Sequence, residues 1–323
     1  MTKRLTVSAL VYGDEYASIF IGSYLPSFLD PKNAGGLKDR VDFELFTDQA
    51  TLDTLKTSDA FARLQQLLSV TVRRLPPGLT HDQRYGVQGT QIRYGVQSAY
   101  DAGQCWMCTT ADSVFGAGVI PTILTALDAG HDSVIGSGLR TTAEVVTPAI
   151  YNAQRALPAS EFFQLALPNL HPLWLASLWD SPHFTPIPYC LCWTDGRELL
   201  VRKPAIDAWV VTPDKDMLGV QGSSDMVLWR HAKNPKWFTE WHELPIVLSE
   251  PLRCFYPPWA LGQHASVSGY LEWARIHIAP DAIKNLETVW RFAPAHLPRN
   301  PELRTQSDSV ISDILKAHAQ VVA

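Results

Sequence analysis

The sequence predicts an α/β fold with a mostly parallel β-sheet that has helices on both faces. Three segments rich in β-forming residues, 4–11, 41–47 and 69–75, are each followed by a segment with apolar residues at helical spacing. A glycine, an aspartate or a proline run ends each of these strands. Strands that alternate with helices in this way are joined by right-handed crossovers within a parallel sheet.

The alternation continues through the first 140 residues. Helices are predicted over 16–29, 50–68 and 80–103, and a fourth strand over 104–110 follows the third helix. A short helix and an apolar strand come next, within 119–139. Ligands in sheets of this kind bind beyond the carboxyl ends of the strands.

From about Glu144 the pattern changes, and prolines become frequent. Residues 189–204 predict a β-hairpin, because two strand-like segments flank a turn with Asp195-Gly196 at its centre. The prediction for the rest is a mixed α+β region. It has a strand at 208–213 and helices at 262–278, 279–293 and 307–320.

Composition excludes several classes of protein. The 323 residues include 27 basic and 32 acidic side chains, a net charge of -5, and no basic cluster that could neutralise a row of phosphates. Nucleic acid is therefore not an expected partner. No apolar run approaches the roughly 20 residues of a membrane-spanning helix, and the N-terminus is not typical of a signal peptide. We expect a cytoplasmic protein, with its five cysteines reduced.

The pentapeptide RYGVQ occurs twice, at 84–88 and 93–97, within the third predicted helix. Nine residues correspond to two and a half helical turns, so the two copies would face opposite sides of the helix. We interpret the recurrence as chance.

Several candidate site residues follow the predicted strands. Asp112 comes directly after the fourth strand, although a solvated turn aspartate is the alternative. Asp48 ends the second strand, where it could bind a ribose or cap the next helix. Tyr12 and Gly13 end the first strand, where a ring could stack on a base or simply pack in the core.

The loop after the first strand has no phosphate-binding glycine motif. A pyrophosphate would then need a metal ion or a cationic side chain such as Arg84, Arg93 or Arg140. Arg140 lies in GSGLRTT, where its glycines favour a phosphate clamp and a surface salt bridge is the alternative.

Zinc is not predicted. Cys105 and Cys108 have a redox or zinc spacing, but residues three apart in a strand face opposite sides. Cys190 and Cys192 share a face without a second ligand pair, which favours core packing. The histidines are scattered, and His171, His264 and His277 are possible ligands or acid/base groups.

The strand order of the first 140 residues resembles that of GT-A-fold glycosyltransferases, which have a Rossmann-like sheet. In that family an Asp-x-Asp motif ends the fourth strand and holds a divalent cation against the diphosphate of a nucleotide sugar. The corresponding residues here are Thr110-Ala111-Asp112, so only the last aspartate is present. The segments YGDEYASIFIGSYLPSFLDPKN and FELFTDQ also resemble the start of bacterial glycosyltransferase-like proteins of surface-polysaccharide pathways.

The resemblance implies a nucleotide-sugar-binding half at 1–143 and an acceptor-side half at 144–323, packed as one continuous domain. Asp112 would face the diphosphate and could hold Mg²⁺ or Mn²⁺. Asp225, after a glycine-containing stretch, would be the catalytic base, with a helix N-cap as its alternative role. The acceptor would be a glycan, a lipid-linked molecule or a small molecule. Two alternatives remain open: a catalytically silent nucleotide-sugar-binding protein and a sugar nucleotidyltransferase. The remaining expected donor-site residues are Tyr12, Gly13, Asp48, Arg84 and Arg140.

Overall fold

The structure is a computed structural model that describes residues 3–79, 83–219, 228–254 and 264–322. At Arg84, Cys254, Val321 and Val322 it describes the backbone alone. Asp225 lies outside the described residues, so its predicted role as the base stays a prediction.

The strands of the described chain are short and fall into three sheets. In chain order they are β1 (Leu5–Leu10), β2 (Val41–Thr47), β3 (Ser69–Arg74), β4 (Cys105–Thr110), β5 (Ser113–Phe115), β6 (Ser133–Gly136), β7 (Leu139–Thr142), β8 (Leu191–Thr194), β9 (Leu199–Arg202), β10 (Asp207–Val211), β11 (Pro235–Trp237), β12 (Ile246–Glu250) and β13 (Trp290–Phe292).

The helices alternate with the strands in the first half and are more irregular afterwards. They are α1 (Asp14–Ile19), α2 (Leu25–Phe28), α3 (Pro31–Ala34), α4 (Gln49–Lys56), α5 (Asp59–Leu67), α6 (Arg84–Asp101), α7 (Val119–Asp128), α8 (Ala143–Ala153), α9 (Ala159–Ala166), α10 (Pro172–Leu175), α11 (Val267–His277) and α12 (Pro301–Val322). A π-helical turn at Phe20–Tyr24 joins α1 to α2, and 3₁₀ turns include Lys215–Met217, Trp241–Glu243 and Pro280–Glu287.

The central sheet has the order β11-β6-β10-β4-β1-β2-β3. Its first four strands in the sequence pair in parallel, and β10 runs antiparallel between β4 and β6. The predicted mostly parallel sheet is therefore confirmed. The strand order reverses at β1, since β2 lies on one side of it and β4 on the other. Such a switch point leaves a crevice at the carboxyl ends of the two diverging strands.

Helices cover both faces of this sheet, as predicted. On one face, Phe20, Tyr24 and Phe28 pack against alternate residues of β1 and β2. On the other face, α6 packs Ile92 and Val96 against Trp106 of β4. The alternation of side chains along a strand explains why both faces are apolar.

Two smaller sheets extend the structure. In one, β12 lies between β5 and β7, directly beyond the end of β4. In the other, β8 and β9 form the predicted hairpin and β13 pairs with β9. One face of the hairpin faces the second apolar core, and the other packs against α11 and α12 in a third. This is the predicted mixed C-terminal region.

Two predicted helices were wrong in detail. The helix predicted over 279–293 is a 3₁₀ turn, Pro280–Glu287, followed by strand β13. Trp290 and Phe292 are strand formers, and pairing with β9 decides their conformation. The helix predicted over 50–68 is divided into α4 and α5, with Thr57 and Ser58 between them.

Among the described residues, no helix is both long enough and apolar enough to cross a membrane.

Candidate active site

A cavity of about 510 Å³ lies at the switch point, within the size range of small-molecule sites. Tyr12 follows β1, Asp112 follows β4, and both line it together with Arg140 of β7. Three predicted site residues that are distant in sequence therefore face one space. Further lining residues come from α6, the segment 173–190, the start of β10 and the end of α11, and they include Tyr85, Gln88, Trp174, Tyr189, Asp207 and His277.

Asp112 is a buried carboxyl group, with 7% of its surface exposed. Its burial, and next the nearby Glu250 carboxylate, raise its pKa from 3.8 to about 6. The Thr110 hydroxyl, which donates a hydrogen bond to Asp112 Oδ1, and the Arg140 guanidinium both act in the opposite direction. A fraction of Asp112 is therefore protonated near neutral pH, so the group can both accept and donate hydrogen bonds to a ligand.

Arg140 forms an ion pair with Glu250 at the cavity wall. The two residues belong to paired strands, because β7 runs parallel to β12 with Arg140 opposite Leu248. His171 lies behind Arg140 and donates its backbone N–H to the Arg140 carbonyl. The guanidinium is therefore held by Glu250 of the second sheet, and the Arg140 backbone by the segment before α10.

The glycines that precede Arg140 make room for a tryptophan. A Cβ at Gly138 would lie 3.1 Å from Cζ2 of Trp209, and one at Gly136 would lie 3.2 Å from Cδ1. Trp209 sits at a register shift in β10, between Ala208 and Val210. The two glycines of GSGLRTT are therefore explained by close packing against Trp209. Arg140 follows them and lines the cavity.

Asp48 has the alternative role that the sequence left open, as the cap of α4. It accepts hydrogen bonds from the Thr51 backbone N–H and the Thr51 hydroxyl, both at 2.9 Å. The same hydroxyl accepts a 2.8 Å hydrogen bond from the Gly13 N–H. Asp48 and Gly13 are not among the cavity-lining residues, and they support the loop that carries Tyr12.

A second charged pair lies beside the cavity. Asp207 is the first residue of β10, and its carboxylate accepts a hydrogen bond from Lys203 Nζ. Lys203 is buried and lies 5.6 Å from the ring centroid of Trp290. His277 also lines the cavity and stacks on Trp273 with 5.5 Å between ring centroids.

His171 and the four described cysteines have structural surroundings. His171 is fully buried; its Nδ1 accepts a hydrogen bond from the Leu173 N–H, and its Nε2 lies 3.3 Å from the Pro251 carbonyl. Burial lowers the pKa of this imidazole, which favours the neutral form. Cys105 and Cys108 belong to different apolar cores, and Cys190 and Cys192 are buried with 3.7 Å between their sulfurs.

A divalent cation does not fit the protein side chains on their own. Within the described residues, no group of three or more His, Cys, Asp or Glu side chains could hold a metal ion. Asp112 and Glu250 are near each other, but Arg140 already pairs with Glu250. Donor phosphates and water would have to complete the coordination of a cation at Asp112.

The structure adds site residues that the sequence reasoning missed. Glu250 ends β12 and was hidden because that strand was not predicted. Asp207 was missed because it precedes the strand predicted at 208–213. The first residue of a strand lies at this edge of the sheet only when the strand is antiparallel, as β10 is. The side chain of the predicted Arg84 is not described, whereas Tyr85 and Gln88 of the same helix line the cavity.

No protein-family model matches the chain, and no curated protein sequence matches it either. Among solved structures, it is similar to a mannosyltransferase from Pyrobaculum calidifontis in complex with GDP-Man and Mn²⁺. That match has 13% identity and a TM-score of 0.38, and it covers 99% of this chain and 76% of the other.

A second similar structure is a protein from Bacillus anthracis, solved with sucrose and described as a glucose-1-phosphate thymidylyltransferase. This match has 10% identity and a TM-score of 0.28, covers 43% of this chain, and spans 55% of that protein's length. Similarity at this level does not indicate an activity, which has to be inferred from the residues of the cavity.

Proposed function

We propose that the protein is a glycosyltransferase that moves a sugar from a nucleotide-sugar donor to an acceptor. The observation that carries the proposal is the convergence of Tyr12, Asp112 and Arg140 on one cavity at the switch point of the sheet. The Tyr12 ring can stack on the base of such a donor, and the Asp112 carboxyl group can bind its sugar-diphosphate. The Arg140 guanidinium can balance the negative charge of the phosphates.

In this proposal the donor lies across the carboxyl ends of β1 and β4. Tyr12 stacks on the base, with Tyr85 of α6 lining the same cavity. The planar guanidinium of Arg140 binds phosphate oxygens and stabilises the negative charge that develops on the leaving diphosphate. Asp112 forms a hydrogen bond to the diphosphate or to the sugar. Mg²⁺ or Mn²⁺ at Asp112 and the surface-polysaccharide context stay predictions.

A nucleotide-sugar-binding protein without activity is the alternative that one observation favours. Thr110 occupies the position of the first carboxylate of Asp-x-Asp, and its hydroxyl is bound to Asp112. Sugar nucleotidyl transfer is less well supported, because the loop after β1 lacks the glycine-rich, basic sequence that this reaction needs.

The test begins with thermal unfolding against UDP-, GDP-, CMP- and dTDP-sugars, each with Mn²⁺ and with EDTA. A ligand that binds only the folded state raises the melting temperature. Turnover of the binding donor is then measured for the wild type and for Asp112→Ala. Loss of turnover with an unchanged fold supports the glycosyltransferase, whereas saturable binding without turnover supports the silent binding protein. Unchanged turnover in Asp112→Ala contradicts the proposed role of Asp112.

A further inference from the structure

We propose that the Lys203–Asp207 ion pair and the aromatic side chains beside it form the acceptor subsite of the same cavity, and that this subsite takes a sugar ring. The inference rests on the proposed glycosyltransferase function. It selects the glycan among the acceptor classes and assigns Lys203 as the positioning residue for Asp207.

Because β10 is antiparallel to β4 and β6, its first residue lies at the edge where those strands end. Asp207 is opposite Gly136, the last residue of β6, and β4 on the other side of β10 ends two residues before Asp112. Asp207 and Asp112 therefore line the same cavity from neighbouring strands.

The Lys203–Asp207 ion pair leaves one oxygen of its carboxylate available. Lys203 Nζ donates to Asp207 Oδ2, and the described residues place no hydrogen bond on Oδ1. The lysine side chain is 9% exposed and the aspartate side chain 27% exposed. Burying an ammonium group is costly unless it is paired, so the lysine holds the aspartate in one orientation. That orientation leaves one carboxylate oxygen to accept a hydrogen bond from a ligand hydroxyl.

Three aromatic side chains, Trp174, Tyr189 and Trp209, line the same cavity as Asp207, and Trp209 follows Asp207 by two residues on β10. Trp209 is 7% exposed, and its Nε1 has no hydrogen-bond partner in the described part of the chain. A buried N–H without a partner is destabilising, and a hydrogen bond to a ligand oxygen would remove that cost. A sugar ring has C–H faces that pack on aromatic side chains. Its hydroxyl groups can accept a hydrogen bond from an indole N–H and donate one to a carboxylate.

In the transfer step Asp207 is the proton acceptor, in place of the Asp225 that the resemblance implied. The hydroxyl of the acceptor gives its proton to Asp207 Oδ1, and its oxygen forms a bond to the anomeric carbon of the donor sugar. The bond from that carbon to the diphosphate oxygen breaks, and its electron pair leaves with the diphosphate. Attack from the face opposite to the diphosphate inverts the configuration at the anomeric carbon.

The experiment compares the wild type with Asp207→Asn and Lys203→Met. Asp214→Asn is the matched control, because Asp214 is paired with Lys233 and does not line the cavity. If Asp207→Asn does not fold, the double variant Lys203→Met/Asp207→Asn is used in its place. It removes both charges of the ion pair, so no buried charge is left without a partner. The readouts are binding of the four nucleotide sugars, transfer to a panel of p-nitrophenyl glycosides, and saturation-transfer NMR of methyl glycosides with the nucleoside diphosphate present.

We expect Asp207→Asn to bind the donor with a dissociation constant within threefold of the wild type and to lose about 10²–10⁴-fold in kcat. Lys203→Met should lower kcat less and shift its pH profile, which a purely structural role would not do. The methyl glycosides should show saturation of their ring protons, and the product should be inverted. Unchanged kcat in Asp207→Asn, a retained configuration, or no glycoside signal with a protein that binds donor would overturn the inference. Absence of donor binding in the wild type would instead overturn the proposed function.

Discussion

The Thr110 hydroxyl donates a hydrogen bond to the Asp112 carboxylate across one intervening residue. In the resemblance to the Asp-x-Asp motif, Thr110 stands at the position of the first aspartate. The groups that act on Asp112 are this neutral hydroxyl and the charged side chains of Arg140 and Glu250, and this arrangement has consequences for proton binding.

The first consequence concerns stability. The pKa of Asp112 is raised from 3.8 to about 6 in the folded protein, mainly by burial and then by Glu250. The folded state therefore binds this proton more tightly than the unfolded state does. Its contribution to stability is fully present below about pH 4 and is lost as the pH rises through about 6.

Asp112→Asn cannot ionise, so we expect its stability not to fall in this way as the pH rises through about 6. Relative to the wild type, its free energy of unfolding should be higher at pH 8 than at pH 4 by roughly 2–3 kcal/mol. Urea unfolding at both pH values measures this, with the exposed Asp216→Asn as the control. An equal difference at the two pH values would contradict the raised pKa.

Donor binding should be linked to proton uptake. A diphosphate placed beside Asp112 adds negative charge, so the pKa of this group rises further and a proton is taken up near pH 6–7. Calorimetry of the nucleoside diphosphate with EDTA, in buffers of different ionisation enthalpy, counts these protons. Asp112→Asn should abolish the uptake. Proton release by the wild type without metal would be the opposite of the expected result.

Arg140→Met should weaken binding of the nucleoside diphosphate about 10–100-fold, since a hydrogen bond to a charged group contributes roughly 1.5–3 kcal/mol. Binding of the unphosphorylated nucleoside should change little. The single variant leaves Glu250 without its ion-pair partner, so Arg140→Met/Glu250→Gln is the matched control for folding. Equal losses for nucleoside and diphosphate would show that Arg140 acts on the fold and not on the phosphates.

The two RYGVQ copies should respond oppositely to the same substitution. A Cβ at Gly95 would lie 2.3 Å from Trp106 Nε1, which donates a 2.8 Å hydrogen bond to the Ser8 hydroxyl. Gly86, in the first copy, is exposed, and apart from its chain neighbours and its own helix backbone the described residues place no atom within 4 Å of that position.

Gly95→Ala should therefore destabilise the protein by about 1–3 kcal/mol, because the helix must move off the sheet. Gly86→Ala should be neutral or stabilising by up to about 1 kcal/mol, because alanine is the better helix former. Urea unfolding of the two variants measures the difference. A destabilised Gly86→Ala protein would contradict the packing of α6.

The parallel part of the fold could be predicted from the sequence because its signals are local. Strands β1 to β4 are each followed within three residues by a glycine, an aspartate or a proline, and the apolar Ile92, Val96 and Ala99 of α6 are buried. The carboxyl ends of these strands share an edge by topology, which is why the sequence predicts that Tyr12 and Asp112 face one crevice.

The other wall of the cavity could not be predicted in this way. Asp207 reaches the edge only because β10 is antiparallel, and Glu250 only because β12 inserts between β5 and β7. Both pairings join segments far apart in the chain, and single-sequence periodicity contains no information about them. The glycines near Arg140 show the same limit, since their partner Trp209 is about seventy residues away in the sequence.

The position of β10 also has a consequence for synthesis of the chain. β4 and β6 emerge early but are not neighbours in the finished sheet, because β10 lies between them. Until Val211 has left the ribosome, two buried strands have open, apolar edges that could pair wrongly with each other or with another chain. We therefore expect the nascent first half to depend on chaperones, and its release as a soluble unit to require the strand that closes the gap.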